Sequence, residues 1–252
     1  MTDTDDQADA RLARRIAETA GELLLTLQRS GLFELKALGK AGDRVANAFI
    51  MEALAEARPD DAVLSEEEAA DAGRLARRRV WIVDPLDGTR EYGERRADWA
   101  VHIALAVDGV ATVGAVALPG LPLTLSTDDP ALVSPVGGGP LKMVVSRTRP
   151  ASEAVAVAGK LGAELAPMGS AGAKAMAVVR GEADIYLHSG GQYEWDSCAP
   201  VAVAEAAGFH VSRIDGSPLR YNRENPYLPD LLICRKEHAG QVLRLIRELA
   251  PA

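Results

Sequence analysis

Two cysteines in 252 residues, Cys198 and Cys234, are too few to staple a secreted scaffold and too far apart to form a CxxC pair. Aromatic residues make up only 4% of the chain, and no apolar run approaches the length that crosses a bilayer. Positive charge is also short. With 28 Lys and Arg against 36 Asp and Glu, the formal net charge is −8, the wrong sign for a partner built of nucleic-acid phosphates. The four histidines, His102, His188, His210 and His238, form no HxH or HxxxH pair, so none is assigned as a metal ligand. The acidic start "MTDTDDQADAR" has neither the basic nor the apolar part of a secretory signal, and a cytoplasmic protein with reduced thiols is expected.

What is present is an ordinary globular composition, 48% hydrophobic and 25% charged, sufficient for one large domain or two closely packed halves. Apolar residues at helical spacing predict helices over 8–29 and 45–57, and the "RLARRR" run at 74–79 reads as a solvated helix end. A short run at 62–64, then "VWIVD", "WAVHIALAVDG" and "VATVGAVALPG", predict strands of one sheet and an α+β first half. The Pro- and Gly-rich stretch 128–140 marks a junction, dividing the chain into halves at 1–133 and 140–252. Beyond it strands at "LKMVVS", "ADIYLH" and "LPDLLICR" alternate with helices over 151–162, 172–180 and 197–207, which favours helices packed on a sheet.

The stretch "VWIVDPLDGT" at 80–89 raises the functional question. Its β-branched and aromatic start suits a buried strand, while Pro85 and Gly88 predict that the chain leaves the sheet at Asp84 and turns. Asp84, Asp87 and the Leu86 carbonyl would then crowd together, and crowded like charges need either a proton or a cation between them. A plain Asx turn explains an isolated DxxDG equally well. Two further acidic stretches bear on the choice: "AVLSEEEAAD", carrying Glu66, Glu67 and Glu68, and "QYEWDSCAP", where Asp196 precedes small residues and would otherwise be a helix N-cap. Oxygen-only donors suit magnesium better than zinc.

An acidic pair, then DPxDGT, then WD before small residues, in that order, resembles the inositol monophosphatase family of metal-dependent phosphatases. "GDRVAN", "VVSRTRP" and "GSAGAK" add to the likeness, which lies closest to the bacterial 3′(2′),5′-bisphosphate nucleotidases of sulfate assimilation. The resemblance implies a layered αβαβα sandwich of the sugar-phosphatase type with two closely packed halves. It implies that Glu66, Asp84 and the Leu86 carbonyl hold one Mg2+, that Asp84, Asp87 and Asp196 hold a second, and that Asp43 in "KAGD" helps hold a third. "KALGKAGD" departs from the family in placing Lys40 where a Thr is usual.

The implied reaction is removal of the 3′-phosphate of adenosine 3′,5′-bisphosphate, or of its 5′-phosphosulfate analogue, by metal-activated water. Glu66, Thr89 and Asp43 form the catalytic set. Gly88, Thr89, Arg90, Ser146, Arg147, Gly169, Ser170, Lys174, Asp196 and Tyr221 are the substrate-binding candidates. Lithium sensitivity and a homodimer are expected on the same ground. Inositol monophosphatase or fructose-1,6-bisphosphatase activity would use the same ligands, and a non-catalytic nucleotide sensor is a more distant alternative. The haloacid-dehalogenase phosphatases, with DxDGT, are disfavoured by the extra residue in DPLDGT.

Overall fold

The computed structural model describes residues 3–131 and 139–249, so most of the expected junction, 132–138, lies outside the described residues. Helices α1 (Asp3–Arg29) and α2 (Leu35–Ala57) precede β1 (Ala62–Ser65), a 3-10 turn (Ala72–Ala76), β2 (Arg79–Asp87) and a short α3 (Thr89–Gly93). Strands β3 (Ala100–Val107), β4 (Val110–Leu118) and β5 (Leu123–Ser126) follow. The remainder runs β6 (Lys142–Ser146), α4 (Ser152–Leu161), β7 (Glu164–Met168), α5 (Ala171–Val179), β8 (Ile185–His188), β9 (Gln192–Tyr193) and α6 (Glu194–Ala206). It closes with β10 (His210–Ser212), β11 (Tyr227–Leu228), β12 (Leu231–Cys234) and α7 (Lys236–Leu249).

Two five-stranded sheets, ordered β1-β2-β3-β4-β5 and β10-β12-β8-β6-β7, stack with helices outside and between them. The alternation of β2 shows why. Trp81 and Val83 point into a core with Leu24, Leu38, Ile50 and Leu54 of α1 and α2. Val80 and Ile82, one residue out of phase, point the other way onto Met176 of α5 and Ala199 and Val203 of α6. Those two helices also meet Val144, Tyr186 and Ile233 of the second sheet, whose far face packs on Val157 of α4 and Val242 and Ile246 of α7. The result is the expected five-layer αβαβα sandwich. Buried on both sides, α5 and α6 are apolar nearly all round, as a helix without a solvent face must be. Ile82 is fully buried between layers, and Ile82→Ala would cost about 2–5 kcal/mol.

Several elements depart from expectation for local reasons. Helix α2 begins ten residues before 45, because Gly39 and Gly42 serve close packing there and do not interrupt the helix. A Cβ on Gly39 would sit 2.6 Å from Thr89 Cγ2, and one on Gly42 2.8 Å from Tyr92 Cε1. Strand β2 does not end at Asp84. It pairs with β3 as far as Asp87↔Ala100, with a register shift between Asp84 and Asp87 that absorbs Pro85, which has no N–H to donate. In the "RLARRR" run Arg74 is buried, donating to Asn222 Oδ1 at 2.6 Å and to the Arg223 carbonyl at 2.7 Å. Arg79 is half-buried against Asp61 and Asp9. Both cysteines are free and buried. No helix among the described residues is long and apolar enough to cross a membrane.

Candidate active site

The bulge at the end of β2 brings both of its acids to the first turn of the central helices. One carboxylate oxygen each from Asp84, Asp87 and Asp196 lies within 4.8 Å of the others, the one such cluster of His, Cys, Asp and Glu among the described residues. Asp196 arrives from the third position of α6. The helix starts at Glu194, three residues before expectation, so Asp196 is not its N-cap but reaches back to accept the Tyr193 N–H at 2.6 Å. Glu66, just beyond β1, shares a hydrogen bond with Asp84.

These acids are not electrostatically alike. Burial, then repulsion from Glu66, Asp87 and Asp196, pushes Asp84 well above the usual carboxylate range. Burial and Asp87 raise Asp196 to about 6. Glu66 is an exposed residue with its carboxylate turned onto Asp84; desolvation there, with repulsion from Asp196, Asp43 and Asp87, raises it to about 7. Asp87 goes the other way, to about 2: burial opposes ionisation but is overridden by His102, Ser170 and Lys174. Three of the four acids therefore resist charging while one is fixed as an anion. Such a cluster can hold cations, and its all-oxygen donors fit a hard divalent ion.

Asp87 is held by the start of α5. Its Oδ2 accepts the Ser170 hydroxyl and the Gly172 N–H at 2.6 Å, and its Oδ1 accepts the Ala171 N–H at 3.1 Å. The Gly169–Ser170 backbone, expected to approach substrate, is thus already engaged: the Gly169 N–H goes to Asp98 Oδ2 at 2.7 Å. Lys174 is buried. A buried ammonium requires acceptors, and its Nζ finds the Gly169 and Ser170 carbonyls at 3.3 and 2.5 Å with the Tyr186 ring 5.4 Å away, so it faces inward. Tyr221 is likewise internal: it is 2% exposed, its hydroxyl 3.3 Å from Ser197 Oγ, under α6.

The rim is placed differently. Gly88, in the left-handed region at φ 88°, turns the chain from β2 into α3. Thr89 Oγ1 then lies 3.2 Å from the Leu86 carbonyl and 3.3 Å from Asp43 Oδ1. Desolvation and the nearby Glu67 raise Asp43 to about 7 against the opposing pull of that hydroxyl. Arg147 crosses from the second sheet to Glu91 of α3 at 2.7 Å and to Glu94 just after it at 3.0 Å, Ser146 Oγ accepts the Arg149 N–H, and exposed Arg90 stands 3.4 Å from Glu94.

The profile of the inositol monophosphatase family matches residues 5–250. The chain belongs to the inositol monophosphatase family. Among relatives, the "3'-phosphoadenosine 5'-phosphate phosphatase" of Mycobacterium leprae is 51% identical over 255 residues, covering 96% of this chain and 94% of that protein. The "3'(2'),5'-bisphosphate nucleotidase CysQ" of Escherichia coli is 32% identical, covering 75% and 81%. A solved structure of CysQ from Bacteroides thetaiotaomicron superposes with a TM-score of 0.80 at 28% identity, covering 91% of this chain and 98% of the other. In this inositol monophosphatase family member, sequence reasoning left one residue at the triad without a role: His102, fully buried on β3 beside Asp87. Its partners lie far away in the chain, so no local pattern announces it; only the small residue at Gly172, where a Cβ would overlap the ring, hints at it.

Proposed function

We propose that the protein is a Mg2+-dependent phosphomonoesterase that removes the 3′-phosphate of adenosine 3′,5′-bisphosphate and accepts its 5′-phosphosulfate analogue. The observation that carries this reading is the convergence of Asp84, Asp87 and Asp196 beside Glu66 and Thr89, in a chain about half identical over nearly its full length to a relative named for that substrate. Bound divalent cations supply charge neutralisation and a lowered pKa for water at such a site.

Asp84, Asp87 and Asp196 would hold one cation, and Glu66, Asp84 and the Leu86 carbonyl another. Thr89 would relay the proton of the attacking water, its hydroxyl taking that proton while passing its own to Asp43 3.3 Å away, and Glu66 would be the second acceptor near neutral pH. The new P–O bond forms to water as the bond to the ribose 3′ oxygen breaks, with no covalent enzyme intermediate. Inositol 1-phosphate and fructose 1,6-bisphosphate hydrolysis would draw on the same ligands. A panel assay decides among them. The value of kcat/KM with Mg2+ should be highest for adenosine 3′,5′-bisphosphate, and a higher value for either sugar phosphate would overturn the assignment.

A further inference from the structure

The strongest unassigned feature at the site is the environment of the His102 imidazole. The ring is fully buried, so each nitrogen needs a partner within the protein. Nδ1 lies 3.0 Å from the Trp195 carbonyl, in the residue directly before Asp196. Nε2 lies 3.2 Å from Asp87 Oδ2, a charge contact whose geometry falls short of a hydrogen bond, and it has no hydrogen-bond partner elsewhere. One rigid, planar group therefore bridges the two chain segments that deliver Asp87 and Asp196. These segments come from different layers, β2 of the first sheet and α6 between the sheets, and share no backbone ladder at this point.

The stereochemistry at Asp87 follows. A carboxylate oxygen has about two lone pairs. Ser170 and Gly172 already occupy Oδ2, with His102 Nε2 pressed against the same atom, whereas Oδ1 accepts only the Ala171 N–H. Donors concentrated on one oxygen leave the other for a cation and fix the carboxylate plane. Gly172 completes the arrangement, since any side chain there would displace the ring.

We infer that His102 is a positioning residue for the metal site, a strut that sets the separation of Asp87 and Asp196 and so the affinity for a divalent cation. The inference rests on the assignment of these acids as metal ligands. An imidazole spans from the β2 acid to the α6 carbonyl; the shorter Asn side chain reaches at most one of them.

The test is direct Mn2+ binding to the metal-free full chain, by calorimetry and by loss of the free-ion electron paramagnetic resonance signal, for wild type, His102→Asn and Gly172→Ala. Groups that orient metal ligands typically contribute 10–100-fold in affinity, and His102→Asn should weaken Mn2+ binding by about that factor. Gly172→Ala, which keeps the histidine but displaces it, should do the same. A merely structural role would lower Tm and leave the dissociation constant of the folded fraction unchanged. Wild-type affinity in a folded His102→Asn protein overturns the proposal; if that variant does not fold, wild-type affinity in Gly172→Ala overturns it instead. Failure of the wild-type chain to bind Mn2+ at all would refute the ligand assignment, a separate outcome.

Discussion

The Thr89 hydroxyl lies 3.3 Å from the Asp43 carboxylate although the two residues belong to different elements, and it does so because α2 carries no side chain at Gly39. Remove that gap and the pair separates. Gly39→Ala would place a methyl group 2.6 Å from Thr89 Cγ2 and 3.1 Å from the Thr89 carbonyl, so helix and turn must part. Overpacking of this kind costs about 1–3 kcal/mol. The expected outcome is a folded protein with lower Tm whose kcat falls more than its KM rises. Equal kcat in the two proteins would show that the Thr89–Asp43 contact has no part in turnover.

Glu66→Gln keeps the shape of the side chain and removes its proton affinity. The loss in kcat should be about 10²–10⁴-fold, the usual contribution of an acid–base group. Because Glu66 also counts as a ligand, the assay is run across a Mg2+ series: a rate restored fully by excess Mg2+ would assign Glu66 to metal retention alone.

The crowded acids also predict how the fold answers metal. With Asp84, Glu66 and Asp196 all resisting ionisation, ions that neutralise them bind the folded state and not the unfolded chain. At a hundredfold excess over the dissociation constant the gain is about 2.7 kcal/mol. Thermal unfolding should therefore rise with Mg2+ in the wild type and stay flat in Asp87→Ala. A parallel rise in both would place the ion elsewhere.

Away from the site, Arg79 and Trp81 donate to Asp61 at 2.8 and 2.9 Å, and despite the opposing effect of burial these contacts hold its carboxyl below the usual range. A depressed carboxyl adds stability above its unfolded pKa and loses it as pH falls through the folded value. Asp61→Asn should thus lower Tm at pH 7, and the gap to wild type should narrow below about pH 4, near the unfolded value. A gap that is constant with pH would assign the effect to packing.

Arg74 is the buried link between the turn after the acidic triplet and the loop at 222–223, whose backbone N–H groups in turn bind buried Glu194 at 2.7 and 2.8 Å. Arg74→Met should destabilise the fold by roughly 2–4 kcal/mol, the range for lost hydrogen bonds from a charged group with their buried acceptors left unpaired. Urea unfolding measures it, and a cost under about 0.5 kcal/mol, the level of surface changes, would make the link incidental.

What the sequence discloses here depends on distance along the chain. "VWIVDPLDGT" is legible as a buried strand running into paired acids because all of them share ten residues, while the bulge that carries β2 on to Asp87 is not. The two-sided burial of β2 is legible in Val80 to Val83, whereas the five layers come only with the family resemblance. Strand β7, "ELAPM", is not: an edge position leaves it polar and tolerates Pro167, so its pairing with β6 leaves no hydrophobic trace. Arg74 looks solvated in a basic run because its acceptors, Asn222 and Arg223, lie 148 and 149 residues away. Tyr221 and Lys174 carry no sign of their burial in the local sequence, because burial is a property of the assembled layers.

Gly114 of β4 adds a last consequence. A Cβ there would stand 2.6 Å from the Ala199 carbonyl and 2.9 Å from Ala202 Cβ, so sheet and α6 meet almost backbone to backbone. The helix bearing Asp196 is thereby seated on an anvil, unable to slide toward or away from the β2 acids. The spacing of Asp196 from Asp84 and Asp87 is cast into the frame.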